Sequence, residues 1–102
     1  MAQFNIGQVN EAIAAAIGDR TAIVHGDRRL TYAELASESR RLASALRRRG
    51  FGAHRERSEL AGHESGQDHL ALYLHNGVEY IVGMLGAFKS RVAPMNVNYR
   101  YV

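Results

Sequence analysis

At 102 residues the chain holds one domain at most, toward the small end of the usual range. Apolar residues make up 46% and charged residues 23%, the balance of a folded globular chain and not of a disordered one. Thirteen basic against ten acidic residues leave a formal charge of +3, too small an excess to imply a nucleic-acid partner, although it leaves weak peripheral contact with an anionic membrane open. The absence of cysteine excludes disulfides, thiolate catalysis and cysteine-ligated zinc. Met1 to Ile17 has no basic start and carries Asn, Gln and Glu, so it is not a signal peptide, and no apolar run approaches the ~20 residues that span a bilayer. A cytoplasmic location is the expectation.

In chain order, residues 8–17 read as a short helix. Val9, Ala12, Ile13, Ala16 and Ile17 share one face at i, i+3, i+4 spacing, and that face is expected to lie on a larger body. Gly18 is expected to end the helix at positive φ. Residues 21–31 read as a small β-hairpin, Thr21-Ala22-Ile23-Val24-His25 returning as Leu30-Thr31, with Gly26 to Arg29 forming a turn longer than the tightest two-residue type. Thr31-Tyr32-Ala33-Glu34 has the form of a capping box. It opens an amphipathic helix over 32–49, with Tyr32, Leu35, Ala36, Ser39, Leu42, Ala43 and Leu46 inward and Glu34, Glu38, Arg40, Arg41, Arg47 and Arg48 outward. Acidic residues at its start and Arg47-Arg48-Arg49 at its end suit the helix dipole, and Gly50 and Gly52 mark its stop.

Residues 50–68 lack periodicity and read as a mobile loop or one short helical turn. Residues 69–97 read as a β-α-β unit: a strand Leu70 to Leu74, a turn His75-Asn76-Gly77, a helix Val78 to Ser90 and a second extended segment Val92 to Asn96. Asn76 with Glu79 suggests a second capping box. The helix is apolar around most of its circumference, which requires burial between layers, and Gly83 and Gly86 point to close backbone approach. Pro94 suits the end or edge of a strand, since it cannot donate to a ladder.

Few constellations carry chemistry. His54, His63, His69 and His75 alternate with Glu56, Glu59, Glu64 and Asp68, but the histidines are not at the spacings that converge on a metal, and a solvated loop is the preferred reading. Gly62-His63-Glu64-Ser65-Gly66 lacks the Gly-x-Ser-x-Gly order of a nucleophile elbow. Neither a Gly-x-Gly-x-x-Gly fingerprint nor a Gly-Lys-Ser/Thr phosphate loop occurs. Glu34 and Glu38 are one turn apart, and both are explained as charges near a helix N-terminus. The arginines from Arg40 to Arg49 have no interleaved aromatic and read as a solvated face rather than a nucleic-acid or membrane patch. No catalytic, cofactor-binding or metal-ligating residue is therefore assigned.

Two blocks carry a resemblance. Arg29-Leu30-Thr31-Tyr32-Ala33-Glu34-Leu35, followed by Arg41 to Leu46 and Arg49-Gly50, resembles the opening of the adenylate-forming acyl-CoA synthetase family. Asp68 to Tyr80, continuing through Gly86-Ala87-Phe88-Lys89 to Val92-Ala93-Pro94-Met95-Asn96, resembles that family's strand, Asn turn and helix. The closing Val97-Asn98-Tyr99-Arg100-Tyr101 is most similar to fatty-acyl-CoA synthetases of the actinobacterial type. Such enzymes are several hundred residues long. They use ATP and magnesium to convert a carboxylic acid to an acyl-adenylate, then pass the acyl group to coenzyme A. Their phosphate loop, acidic residues and late lysine have no match in this sequence. Gln67-Asp68 stands where relatives have Gly-Asp, after an insertion of about a dozen residues on the usual loop scale.

The resemblance implies an incomplete N-terminal α/β subdomain: small hairpin, amphipathic helix, one β-α-β unit. A chain of this length is expected to be a fragment of the ATP-dependent ligase or a shortened gene product, inactive alone and without a cofactor of its own. The alternative is a non-catalytic, self-associating module. The partner is accordingly another copy or the remainder of the enzyme.

Overall fold

A computed structural model describes residues 5–55, 59–75 and 77–97. Its elements run α1 (Ile6–Ile17), β1 (Thr21–His25), β2 (Arg28–Thr31), α2 (Tyr32–Arg48), β3 (His69–Leu72), α3 (Val78–Lys89) and β4 (Ala93–Asn96). β1 and β2 form an antiparallel hairpin, and β3 and β4 form a separate two-stranded parallel sheet. The mixed α/β class, with hairpin, amphipathic helix and β-α-β unit, is as expected. The hairpin turn is tighter than expected: strand pairing resumes at His25 with Arg28, so only Gly26 and Asp27 lie between, and Gly26 takes φ 61.

α2 begins on the capping box. The Thr31 hydroxyl accepts from the Glu34 amide at 3.1 Å, and the Glu34 carboxylate accepts from the Thr31 amide at 2.8 Å. Its inward face is the expected one, with Leu35, Ala36, Ser39 and Ala43 buried. Gly50, at φ 85, ends it: the Gly50 amide donates to Arg47 O and the Phe51 amide to Leu46 O, a Schellman pair of bonds.

The core lies where the hairpin meets α2 and α3. Leu30, Leu35, Val78 and Leu85 form its buried cluster, with Ala22, Ile23 and Val82 against it. α2 and α3 approach closely at Gly86, where a Cβ would fall 2.6 Å from Leu42 Cδ2 and 2.9 Å from Leu42 Cβ. Gly83 makes room for Leu72, whose Cδ2 would lie 2.9 Å from an added Cβ. Both glycines thus serve the close packing read from the sequence.

Two expectations are corrected. Gly18 sits at φ −58, in the right-handed region, because the chain continues a helical turn and the Gly18 carbonyl accepts from Ala33 N at the start of α2. The cap position of α3 is Gly77, which has no side chain to cap with; Asn76, expected to form a capping box with Glu79, lies outside the described residues. α1 is turned over. The residues it buries are Gly7 and Asn10, while Ile6, Val9 and Ile13 are 59%, 46% and 37% exposed. The apolar stripe faces out, and polar groups on α2 and α3 hold the opposite face.

In the parallel sheet, Ala93 N donates to Asp68 O and Val97 N to Leu72 O. That two-residue rhythm leaves Pro94, paired with Leu70, on the side of the strand that owes no donor to β3. The radius of gyration, 14.8 Å, exceeds the ~13 Å of a closed domain of this length, so the elements form an open arrangement.

Candidate functional site

One polar knot holds α1, α2 and α3 together. The Lys89 side chain is 7% exposed, and its ammonium donates to Asn10 Oδ1 at 2.7 Å, Ser39 Oγ at 2.7 Å and Glu11 Oε2 at 2.6 Å. Three acceptors match the three donors of an ammonium. Arg40 Nε reaches the same Glu11 oxygen at 3.2 Å, so one carboxylate serves two cations. Asn5 caps α1 by accepting from Gly7 N at 2.6 Å and donates its own amide to Phe88 O. Glu11, the sole charged residue of α1, explains why that helix presents its polar side inward.

Beside this knot lies an open cleft of about 1040 Å³. α1 contributes Gln8 and Glu11, α2 contributes Arg40, Ser44 and Arg47, and the end of α3 contributes Phe88 and Lys89. The fourth wall comes from the loop after α2, through Arg55 and Glu64, and from Arg91. Arg91 is the sole non-glycine at positive φ among the described residues, at 63°. It occupies the left-handed position after α3: its amide donates to Phe88 O and that of Val92 to Ala87 O, repeating the arrangement that Gly50 makes at the end of α2. An arginine there costs about 1 kcal/mol that a glycine would not.

The loop after α2, expected to be mobile or to hold one short helical turn, is tied at its base. Its neck closes where Gly52 and Asp68 meet: the Asp68 amide donates to Gly52 O at 2.9 Å and Gly52 N to Asp68 Oδ2 at 3.0 Å. Ala53 and Gln67 form an antiparallel bridge beyond it. His54 Nε2 lies 2.6 Å from the same Asp68 oxygen. Hydrogen bonding from His54, then from the Gly52 amide, holds the Asp68 carboxyl below its ordinary range. Higher up, Arg55 pairs with Glu64 at 3.5 Å and donates to Glu59 O at 2.7 Å. Of the histidines and acids weighed as metal ligands, His54 and Asp68 are brought together, whereas Glu64 is turned to Arg55. Glu56 lies outside the described residues. No group of three candidate metal ligands occurs among the described residues.

Glu34 and Glu38 are also separated by role. Glu34 belongs to the capping box, and the Thr31 amide lowers its pKa. Glu38 takes Arg28 at 3.3 Å, while Arg28 also reaches Glu79 at 2.8 Å, so one arginine spans the hairpin, α2 and α3.

A second depression, about 480 Å³, is mainly apolar, formed by Leu42, Leu70, Leu72, Leu74 and Val82 with Arg28 and Arg41 at its rim. On the other face of the parallel sheet, Ala71 stands beside Met95 and both are exposed, as are Tyr73 and Val97. Parallel sheets are ordinarily covered on both faces. Here the helices cover one.

Sequence reasoning missed the Lys89 knot, since its partners are 50 to 79 positions away. A lone Glu on an otherwise uncharged helix was its available signal. Arg91 had a signal too, as the residue following a helix end where glycine or asparagine is usual.

A helix-covered parallel β-α-β unit with an open second face, preceded by a capped helix and hairpin, defines a portion of an α/β protein. Comparison with known proteins agrees in kind. The chain belongs to the AMP-binding enzyme family, whose model matches residues 10–102. It is 54% identical over 99 residues to the medium-chain acyl-CoA ligase Mig of Mycobacterium avium, covering 97% of this chain and 18% of that protein. It is 36% identical over 98 residues to a medium/long-chain-fatty-acid–CoA/3-oxocholest-4-en-26-oate–CoA ligase of Mycobacterium marinum, covering 96% of this chain and 16% of that protein. The N-terminal domain of FACL13 from Mycobacterium tuberculosis superposes with a TM-score of 0.80 at 25% identity, over 98% of this chain and 23% of that one. The chain thus spans less than a fifth of the length of these two curated relatives.

Proposed function

We propose that this chain is the N-terminal structural portion of an ATP-dependent acyl-CoA ligase that activates a fatty acid as its acyl-adenylate and transfers it to coenzyme A. The observation that carries the reading is the match over 97% of the chain at 54% identity to a medium-chain ligase of which it is 18%. ATP, magnesium and coenzyme A belong to the full-length enzyme in this reading. The residues present do not fit them: there is no glycine-rich phosphate loop in the sequence and no metal-ligand cluster among the described residues. The part played by this chain is scaffolding. It supplies a first parallel layer whose α3 is locked to α2 and α1, and whose apolar sheet face and groove receive the layers that follow. A cytoplasmic location goes with that reading, since ATP and coenzyme A are found there.

The test is a graft. Replacing the matched 99 residues of the M. avium ligase with this chain should leave a folded enzyme that still forms acyl-CoA. A chimera that folds but has lost adenylate formation contradicts a purely structural part.

A second reading, self-association, is favoured by the exposed faces of α1 and the parallel sheet. Light scattering should then show mass rising with concentration. A monomer throughout the range counts against it.

A further inference from the structure

We propose that α1 is a charge-latched strap, which leaves the α2–α3 surface as one unit while the rest of the chain stays folded. Such a strap is a property of this chain whatever enzyme carries it. Among the described residues the buried core is Leu30, Leu35, Val78 and Leu85, with Ala22, Ile23 and Val82 against it, and α1 contributes nothing to it. The residues α1 buries are Gly7 and Asn10, and its large apolar side chains Ile6, Val9 and Ile13 face solvent. Little hydrophobic area holds it down, so what docks it is polar.

The polar contacts are ordered along the helix. At its N-terminal end Asn5 donates to Phe88 O at 3.1 Å. At its middle Lys89 donates to Asn10 and Glu11, and Arg40 reaches the same Glu11 oxygen. At its C-terminal end the Gly18 carbonyl accepts from Ala33 N and the Arg20 carbonyl from Tyr32 N, both at 2.9 Å, which pins the chain there. Residues 18–20 are therefore the pivot. Glu11, the sole charged residue of α1, is the latch. The outer of its two ion pairs is open to screening, since the Arg40 and Glu11 side chains are 60% and 38% exposed. Ionic strength is thus its control. Opening also returns the buried Lys89 ammonium to water, and that recovered hydration keeps the cost of release below the cost of unfolding the core. A free helix of 12 residues is marginal in water, so release and melting of α1 coincide.

Native-state amide hydrogen exchange of the full chain tests this. Amides of α1 should exchange together, about tenfold or more faster than those of Leu35 and Leu85, and faster again with added salt. Glu11→Gln keeps an oxygen for Lys89 but removes the charge. It should speed exchange in α1 about tenfold, the effect of losing a charge-assisted hydrogen bond, and abolish the salt response of α1. Ile23→Val weakens the core without touching the strap. It should speed exchange at Leu35 and Leu85 about fivefold and leave α1 unchanged, because release of α1 does not pass through core unfolding. Three results overturn the proposal: α1 amides no faster than those of Leu35 and Leu85; Ile23→Val speeding α1 as much as the core; or Glu11→Gln leaving α1 unchanged.

Discussion

Lys89 shows how much one side chain decides in this fold. An ammonium is costly to desolvate, and here three oxygens from two other helices replace its water. Replacing it with methionine keeps the apolar stem but leaves buried Asn10 and Ser39 without their donor. Glu11 retains Arg40 and is partly solvated, which limits the damage. We expect Lys89→Met to cost about 2 kcal/mol in urea denaturation, toward the low end for breaking a buried pair. A loss below the ordinary surface range of about 0.5 kcal/mol would mean that the knot holds nothing together. Asp68 sets a pH dependence. Its pKa is lowered in the folded chain, so its contribution is complete above the unfolded carboxylate value of about 3.9 and is lost as pH falls through the lower folded value. The neck of the loop should open in that acid window, read as faster amide exchange at Gly52 and Asp68. In Asp68→Asn that step should be missing.

At the scale of elements, the two glycines of α3 separate packing from propensity. Alanine gains about 1 kcal/mol of helix propensity at either position. At Gly83 the obstacle is the tip of Leu72, which can turn, so Gly83→Ala should fall within about 1 kcal/mol of neutral. At Gly86 the whole Leu42 side chain from its Cβ outward is in the way, and Gly86→Ala should destabilise by about 2 kcal/mol. Equal effects at both sites would remove the close α2–α3 approach from the account. α2 was legible from sequence because its determinants are local: Thr31 and Glu34 are three residues apart, and one long stripe faces in. α1 was legible as a helix but not in its orientation. Periodicity tells which side is apolar, and only a distant Lys89 tells which side is inward. Val9→Ser and Ile13→Ser should accordingly leave stability within about 0.5 kcal/mol. A loss of 2 kcal/mol or more, as for a core position, would restore the orientation the stripe suggested. Asn98 to Tyr101, which carried the finer resemblance, lie outside the described residues.

Taken whole, the molecule is an α/β layer with one face finished and one face open. The hairpin, α2 and α3 make a small core of their own, so the chain has structure to keep, while the far side of its parallel sheet remains apolar and exposed. The topology was legible because strand, helix and strand follow one another in sequence. The tied loop neck and the cleft were not, since each depends on residues that only the fold brings together. Membership of the AMP-binding family explains the architecture, and in the proposed reading this portion is scaffold while the ligase chemistry is performed elsewhere in the full-length enzyme. The most direct test follows from that separation of scaffold and chemistry. Purified chain incubated with ATP, magnesium, a medium-chain fatty acid and coenzyme A should release no pyrophosphate above the blank and form no acyl-CoA. Sustained turnover abolished by heat denaturation would contradict the account.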